Sequence, residues 1–231
     1  MKHLYILVSA IAICCLAACS KKSDPAPVTD PRVGTVVING YTYPTIIIGT
    51  QTWTSFNYLG GTGSLAKPDN TYGNYYTLQQ AMQIPLPTGW RIPGVDDYNK
   101  MLSTFSAATK NSSGNYVGDI SVARALADTA QFHSLASPDL TMKATNSSGF
   151  SAYPGGAYNL SNQSFTDQFL GGAFLTTTTG TENGSSVSYF FGIVADGIPV
   201  GSSLTGYYAG IDFNYTAYAN SAYSLRFVKD N

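Results

Sequence analysis

Pro87-Thr88-Gly89-Trp90-Arg91-Ile92-Pro93 runs directly into Gly94-Val95-Asp96-Asp97-Tyr98. The prolines and the glycine set a bend, because Pro93 holds Ile92 extended and cannot continue a preceding helix. A helix is predicted to follow. Asp96 and Asp97 fall in its first turn, where the helix dipole favours negative charge. Tyr98, Met101, Leu102 and Phe105 recur at i, i+3, i+4 and i+7, which describes one buried helical face. Trp90 is expected beneath that helix as a buried core anchor.

Towards the N-terminus, Val33 to Ile38 and Tyr41 to Ile48 are β-rich runs joined by Asn39-Gly40, the strongest short hairpin signal. Pro44 marks an exposed edge or a bulge in the second run. Gly49-Thr50 makes a turn into a third short strand, Gln51 to Thr54. A polar loop over 60–74 leads to a short helix within Tyr75 to Met82, with Leu78, Ala81 and Met82 inward. Towards the C-terminus, Ile120 to Ala127 reads as a second helix. Short strands then recur around Phe174 to Thr178, Val187 to Ala195, Gly206 to Phe213 and Tyr223 to Val228. Val187 to Ala195 is apolar on both faces and is expected to be a central strand. In the final run Tyr223, Leu225 and Phe227 share one face, and Ser224 and Arg226 the other.

Residues 1–18 carry an address. Lys2 and His3 form a basic start, and Leu4 to Leu16 is an apolar run too short to span a bilayer as a helix. Leu16-Ala17-Ala18-Cys19 resembles a bacterial lipobox, which implies cleavage before Cys19 and lipidation of its thiol. The alternative is a plain secretory signal followed by a stray cysteine. Several acyl chains on one residue give stable membrane anchoring. Residues 19–32, with Pro25, Pro27 and Pro31, read as a tether reaching on the order of 40 Å if extended at about 3.1 Å per residue. Ser20 after the cysteine resembles lipoproteins passed on to the outer membrane, which is the expected location. Residues 33–231 are expected to form a single domain.

Composition narrows the function classes. Charged residues make up 11% of the 231, and the formal net charge is -1, so nothing favours nucleic acid as a partner. All three cysteines, Cys14, Cys15 and Cys19, lie in the leader, which leaves the mature fold without a disulfide or a cysteine-based metal site. Tyrosine is abundant, with 17 copies, among Ser, Thr, Asn and Gly, a composition that points to a strand- and loop-rich fold with a neutral polar surface.

Four ordered blocks carry a resemblance. They are Tyr43-Pro-Thr-Ile-Ile-Ile-Gly-Thr-Gln-Thr-Trp53, Pro87 to Pro93, Gly149-Phe-Ser-Ala-Tyr-Pro-Gly-Gly156, and Ser224-Leu-Arg-Phe-Val-Lys-Asp230. Their order and spacing resemble the Fibrobacter succinogenes major paralogous domain family. That family is similar to the C-type-lectin-like and sulfatase-modifying-factor folds. The resemblance implies an α+β, C-type-lectin-like domain, with two helices packed on small antiparallel sheets and a long irregular second half. The family usually has cysteines where this chain has Leu86 and Phe227; if that pair is a disulfide, both its ends are replaced here by apolar residues able to pack together. Its usual Phe-Trp-Ser-Ser-Thr stands here as Phe174-Leu175-Thr176-Thr177-Thr178.

No catalytic residue, metal ligand or cofactor is assigned. A formylglycine-generating chemistry needs reactive cysteines, and none remain in the mature chain. His133 is its only histidine, and no nucleophile-elbow motif accompanies it. Glu182 is its only glutamate, so a paired-glutamate hydrolase is excluded. Lys67-Pro68-Asp69-Asn70 faintly resembles a lectin sugar-binding tripeptide but lies in the wrong half of the chain. Asp128-Thr129-Ala130 resembles a three-residue O-glycosylation motif of some Gram-negative exported proteins, the plain alternative being a helix C-terminus.

The resemblance places the ligand surface in Gly201 to Ser221. There Asp212 and Asn214 share one face of a strand and offer carboxylate and amide groups to hydroxyls. Tyr207, Tyr208 and Tyr218 would supply flat aromatic surface beside them, the alternative being tyrosines that merely cap the core. The expected function is an outer-membrane lipoprotein carrying a non-catalytic binding or adhesion module, for a glycan or a protein ligand. A structural or assembly subunit is the competing expectation.

Overall fold

The computed structural model describes residues 30–61, 72–130, 143–166, 168, 171–194, 209–215 and 221–231, without the side chains at 213–215. Within them the elements run β1 (Val33–Ile38), β2 (Tyr41–Ile48), β3 (Gln51–Thr54), β4 (Tyr75–Tyr76), α1 (Leu78–Ala81), α2 (Val95–Leu102), β5 (Ala108–Lys110), β6 (Tyr116–Gly118) and α3 (Ile120–Leu126). Then follow β7 (Ala157–Asn159), β8 (Ser164–Thr166), β9 (Gly171–Glu182), β10 (Ser185–Val194), β11 (Ala209–Tyr215), β12 (Ser221–Ser224) and β13 (Val228–Asp230). The strands build two sheets. A four-stranded one has the order β1-β2-β3-β13, and a nine-stranded one has the order β5-β6-β11-β10-β9-β12-β7-β8 with β4 paired to β12.

This is a mostly β, sandwich-like fold, and it corrects the α+β, C-type-lectin-like expectation. Among its described residues the second half is not irregular: it supplies most of the nine-stranded sheet. One reason lies in Thr179 to Glu182, beyond the strand expected over Phe174 to Thr178. Such Thr- and Gly-rich sequence resembles loop chemistry, yet threonine is β-branched and favours a pleated surface. Here it extends β9 to twelve residues. The helices are minor: α1 has four residues, α2 eight and α3 seven.

The first hairpin forms as read. Asn39 and Gly40 take φ of 50° and 80°, the left-handed pair of a type I′ turn, and Ile38 stands opposite Tyr41. Pro44 marks neither an exposed edge nor a bulge, since β2 lies between β1 and β3. It is tolerated because the β2–β3 ladder begins only at Thr45 opposite Thr54. The Pro44 carbonyl still accepts from Ser55 N at 2.9 Å.

Two hydrophobic clusters lie on the two faces of the large sheet. Phe174, Phe191 and Ile193 face a cluster with Trp53, Ile46, Ile48 and the buried sides of α2 and α3. Ala173, Leu175 and Tyr223 belong to another with Tyr43, Tyr58, Tyr76, Leu225 and Phe227, against which Phe190 packs. Strand β10 therefore presents apolar groups to both sides, as its uninterrupted apolar run requires. Leu86 packs against the cluster that holds Phe227.

Helix α2 buries Tyr98, Met101 and Leu102 as its periodicity demands. The residue beneath it is Trp53 rather than Trp90. Trp53 is fully buried, 5.0 Å from the Tyr98 ring and 5.8 Å from that of Phe150. Trp90 is only half-buried, on the edge of the tyrosine-rich cluster, with Lys229 Nζ 5.7 Å from its ring centre. Ile92 and Pro93 separate Trp90 from the helix, and Ile92 is buried in the same tyrosine-rich cluster. Met82, expected inward, is 61% exposed: α1 ends at Ala81, and the next residue leaves the buried stripe. No helix among the described residues is long and apolar enough to cross a membrane.

Candidate functional site

The chain changes sheets between Ser224 and Val228. Ser224 pairs with Tyr75 in the large sheet, and Val228 pairs with Trp53 in the small one. Alternation persists through the switch, so Leu225 and Phe227 enter the tyrosine-rich cluster while Arg226 turns the other way. Arg226 is fully buried. It donates to Thr54 O and Phe150 O at 2.9 Å each, to Ser151 O at 2.7 Å, and to Asn57 Oδ1. The guanidinium also lies over the Phe150 and Phe174 rings, at 4.9 and 5.6 Å from their centres. Burial lowers its pKa to about 9, so it remains a cation at neutral pH, solvated by carbonyls and ring faces in place of water.

The Pro87–Asp97 stretch locks onto the same region. Arg91 and Val228 exchange backbone hydrogen bonds at 2.9 and 3.0 Å. Thr177 N donates to Pro93 O at 2.9 Å, and Val95 N donates to Thr178 Oγ1 at 2.9 Å. Asp97 accepts from Gly94 N at 3.0 Å, from Gln51 Nε2 at 2.8 Å and from the Arg91 guanidinium. Asp230 joins Arg91 at 3.0 Å and Lys100 at 2.7 Å, and the Lys100 hydrogen bond, with Arg91 beside it, holds its carboxyl below the usual range. The four sequence blocks thus hold one another. The charged side chains of Arg91, Asp97, Arg226 and Asp230 are engaged in that architecture.

One surface stands out beyond these contacts. In β9 a bulge sets Thr176, Thr177 and Thr178 against Tyr189 alone, as the register shifts between Ser188 and Phe190. The Thr176 hydroxyl closes it by donating to Tyr189 O at 2.7 Å. Past the bulge Thr179 stands opposite Ser188, Thr181 opposite Ser186, and on β11 position 214 stands opposite Ser188. Residues directly opposite share a face. Thr179, Thr181 and Ser186 are exposed and Ser188 is half-buried. On the reverse face Val187 is buried, and the Tyr189 hydroxyl donates to Glu182 Oε1 at 2.8 Å. Gly180 admits the Tyr189 ring, since a Cβ there would fall 2.9 Å from it. The only charged residues in β9, β10 and β11 are Glu182 and Asp212.

Asp212 borders this face, half-buried, opposite Phe190. Ile211 points into the core cluster under α2 and α3, as its place in the strand implies. Position 214 lies in β11, but the Asn214 side chain is outside the description, and Tyr207, Tyr208, Tyr218, Cys19, His133 and Lys67 to Asn70 lie outside the described residues. The structure thus brings Asp212 and the backbone of Asn214 beside a row of hydroxyls that the sequence reading missed. The only local trace of it is the alternation of Thr179 and Thr181 with Gly180 and Glu182. No group of three or more His, Cys, Asp or Glu among the described residues could hold a metal ion.

The family model of the Fibrobacter succinogenes major domain matches residues 46–229. The chain belongs to that family. No curated protein and no solved structure matches it. In this Fibrobacter succinogenes major domain the matched stretch contains Trp53, Asp97, Thr178 and Arg226, together with the Thr179–Ser188 face, whereas β1 precedes it. A cleft of about 240 Å³ lined by Arg32, Ile48, Gly49, Thr104, Phe105 and Ser147 is smaller than the roughly 300–1,000 Å³ of small-molecule sites. The broad hydroxyl face remains the better candidate.

Proposed function

We propose that this chain is an exported, lipid-anchored binding or adhesion module of the outer membrane, and that the outer face of β9, β10 and β11 is its ligand surface. The observation that supports this reading is the register that lines up Thr179, Ser188 and position 214, with Thr181 and Ser186 alongside. Hydroxyls both donate and accept, and a face without cations suits a neutral, hydroxyl-rich ligand such as a glycan. Asp212 adds a carboxylate at its border, and Tyr207, Tyr208 and Tyr218 adjoin β11 in sequence. The reading assigns no catalytic residue and no cofactor. The anchor is the lipid on Cys19.

A Cys19→Ala variant should move from the membrane to the soluble fraction. If it stays with the membrane, the anchor lies elsewhere. That soluble form, applied to a glycan array, should bind a neutral glycan. Thr179→Val with Ser188→Val should then weaken binding about tenfold, roughly 1.4 kcal/mol. Unchanged affinity in the folded double variant would remove this face from consideration.

A structural or assembly role is favoured by a different observation. Strand β1 ends the small sheet, carries no charged residue, and exposes Val33 and Val37 at 59% and 56%. No strand among the described residues pairs with its outer edge, and such edges recruit other chains. Concentration-dependent self-association that Val37→Lys abolishes, with an empty glycan array, would establish that role instead.

A further inference from the structure

Helix α3 ends in a short segment pinned from both sides. Ala127 N donates to Ala123 O at 2.9 Å, Ala152 N to Leu126 O at 2.9 Å, and Asp128 N to Ala152 O at 2.9 Å. Leu126 and Ala127 are fully buried. The Asp128 carboxylate then accepts from Ala130 N at 2.9 Å, closing a turn over Thr129. Thr129 and Ala130 are exposed. No hydrogen bond engages the Thr129 hydroxyl among the described residues, whereas exposed Ser103 and Ser121 donate theirs to Lys100 O and to Asp119 Oδ1. Asp128-Thr129 is also the only place in the sequence where aspartate directly precedes serine or threonine.

We infer that Thr129 is an O-glycosylation site, an inference that rests on the export reading above. The turn holds the backbone on both sides of Thr129, and the small Ala130 leaves room for an enzyme to reach Oγ1 in the folded protein. The donor is a sugar linked through its anomeric carbon to a phosphate or pyrophosphate carrier, supplied with a glycosyltransferase outside the cytoplasm. Thr129 Oγ1 attacks the anomeric carbon and forms the glycosidic C–O bond. The anomeric C–O bond to phosphate breaks, its electron pair leaves with the phosphate, and the hydroxyl proton passes to a base of the transferase. Asp128 shapes and marks the turn and takes no part in the transfer.

The test uses the full chain purified from membranes of its native host. Trypsin releases Ala125–Lys143 with Thr129 inside it. Mass spectrometry should find this peptide carrying a glycan, and electron-transfer fragmentation should place it on Thr129 rather than Ser134, Ser137 or Thr141. Thr129→Ser should keep the glycan. Thr129→Ala should lose it with an unchanged melting temperature once both proteins are compared without glycan. A chain lipidated at Cys19 whose peptide is wholly unmodified overturns the inference and leaves export standing. A glycan that persists in Thr129→Ala overturns it as well. A chain neither lipidated nor glycosylated overturns both readings.

Discussion

Thr178 Oγ1 accepts the Val95 N–H at 2.9 Å, so the N-terminus of α2 is capped from a strand 83 positions further along the chain. Gly94 at the cap position has no side chain to offer. A Cβ there would approach the Thr178 hydroxyl to 3.3 Å and the Thr177 hydroxyl to 3.5 Å, which keeps the position small. Thr178→Val should therefore destabilise the protein by about 1 kcal/mol, which lowers Tm by roughly 2–4 °C in a domain of this size. Thr178→Ser should be close to the parent. The sharper readout is amide hydrogen exchange at Val95: faster exchange in Thr178→Val alone supports the long-range cap, and equal protection in both variants contradicts it.

The two tryptophans should behave differently. Trp53 is fully buried among Tyr98 and Phe150, and Trp53→Ala should lose about 3–5 kcal/mol. Trp90 packs on one side and faces Lys229 on the other. Trp90→Ala forfeits a partial contact and a cation–π interaction of about 0.5–1 kcal/mol, so it should melt well above Trp53→Ala. In Trp90→Phe the remaining emission should be that of a tryptophan shielded from water. Equal destabilisation by the two alanine variants would contradict this placement.

Arg226 should resist even conservative change. Lysine keeps the charge but cannot reach Thr54 O, Phe150 O, Ser151 O and Asn57 together. Each buried acceptor left unpaired costs about 1–3 kcal/mol. Arg226→Lys is expected to lose roughly 3 kcal/mol or more, measured by denaturant unfolding, and Arg226→Met more still. Arg226→Lys within about 0.5 kcal/mol of the parent would mean that the carbonyls do not depend on the guanidinium.

Asp119 links stability to pH. Its carboxylate accepts from Ser121 N at 2.8 Å and Val122 N at 3.2 Å, capping α3. The Ser121 hydroxyl and these amides hold its pKa below the ordinary 3.8. A depressed carboxyl stabilises the fold fully above the unfolded value, and the contribution fades as pH falls through the folded one. Asp119→Ala should lose about 0.5–2 kcal/mol at pH 7, and the difference from the parent should shrink below about pH 4. Asp119→Asn should keep most of the cap and flatten that part of the acid profile. A parent-to-alanine gap that stays constant down to pH 2 would assign the effect to something other than this carboxylate.

Local order in the sequence made part of the fold legible. Asn39-Gly40 specified the first hairpin, the Tyr98–Leu102 spacing the face of α2, and the two-sided apolar run of β10 its central place. The pairing of distant segments was not legible, because no local pattern shows that Ser224 lies parallel to Phe174 or that β12 and β13 belong to different sheets. The exchange of Trp90 for Trp53 has the same origin: both lie in aromatic-bearing blocks, and only the packing of α2 separates them. At the candidate face Asp212 was readable from the strand pattern. The hydroxyl row was not, since it depends on the bulge at Thr176 to Thr178, which resets the register before Thr179 meets Ser188.

The crossing from one sheet to the other at Ser224 to Val228 bears on how the chain is made. Thr54 waits for Phe227, Tyr58 for Leu225, Trp53 for Val228 and Arg91 for Val228. Until residues 224–230 have been synthesised, the small sheet lacks its last strand and the carbonyls of Thr54, Phe150 and Ser151 lack their donor. A growing chain adds about 5–20 residues per second, so the earlier segments spend several seconds without the piece that joins them. An elongating chain stalled before residue 224 should stay open to protease throughout, and one stalled on an added C-terminal linker that carries residues 224–230 clear of the ribosome should close as a unit. The expected outcome is a domain that stays loose while it is being made and closes in one late step.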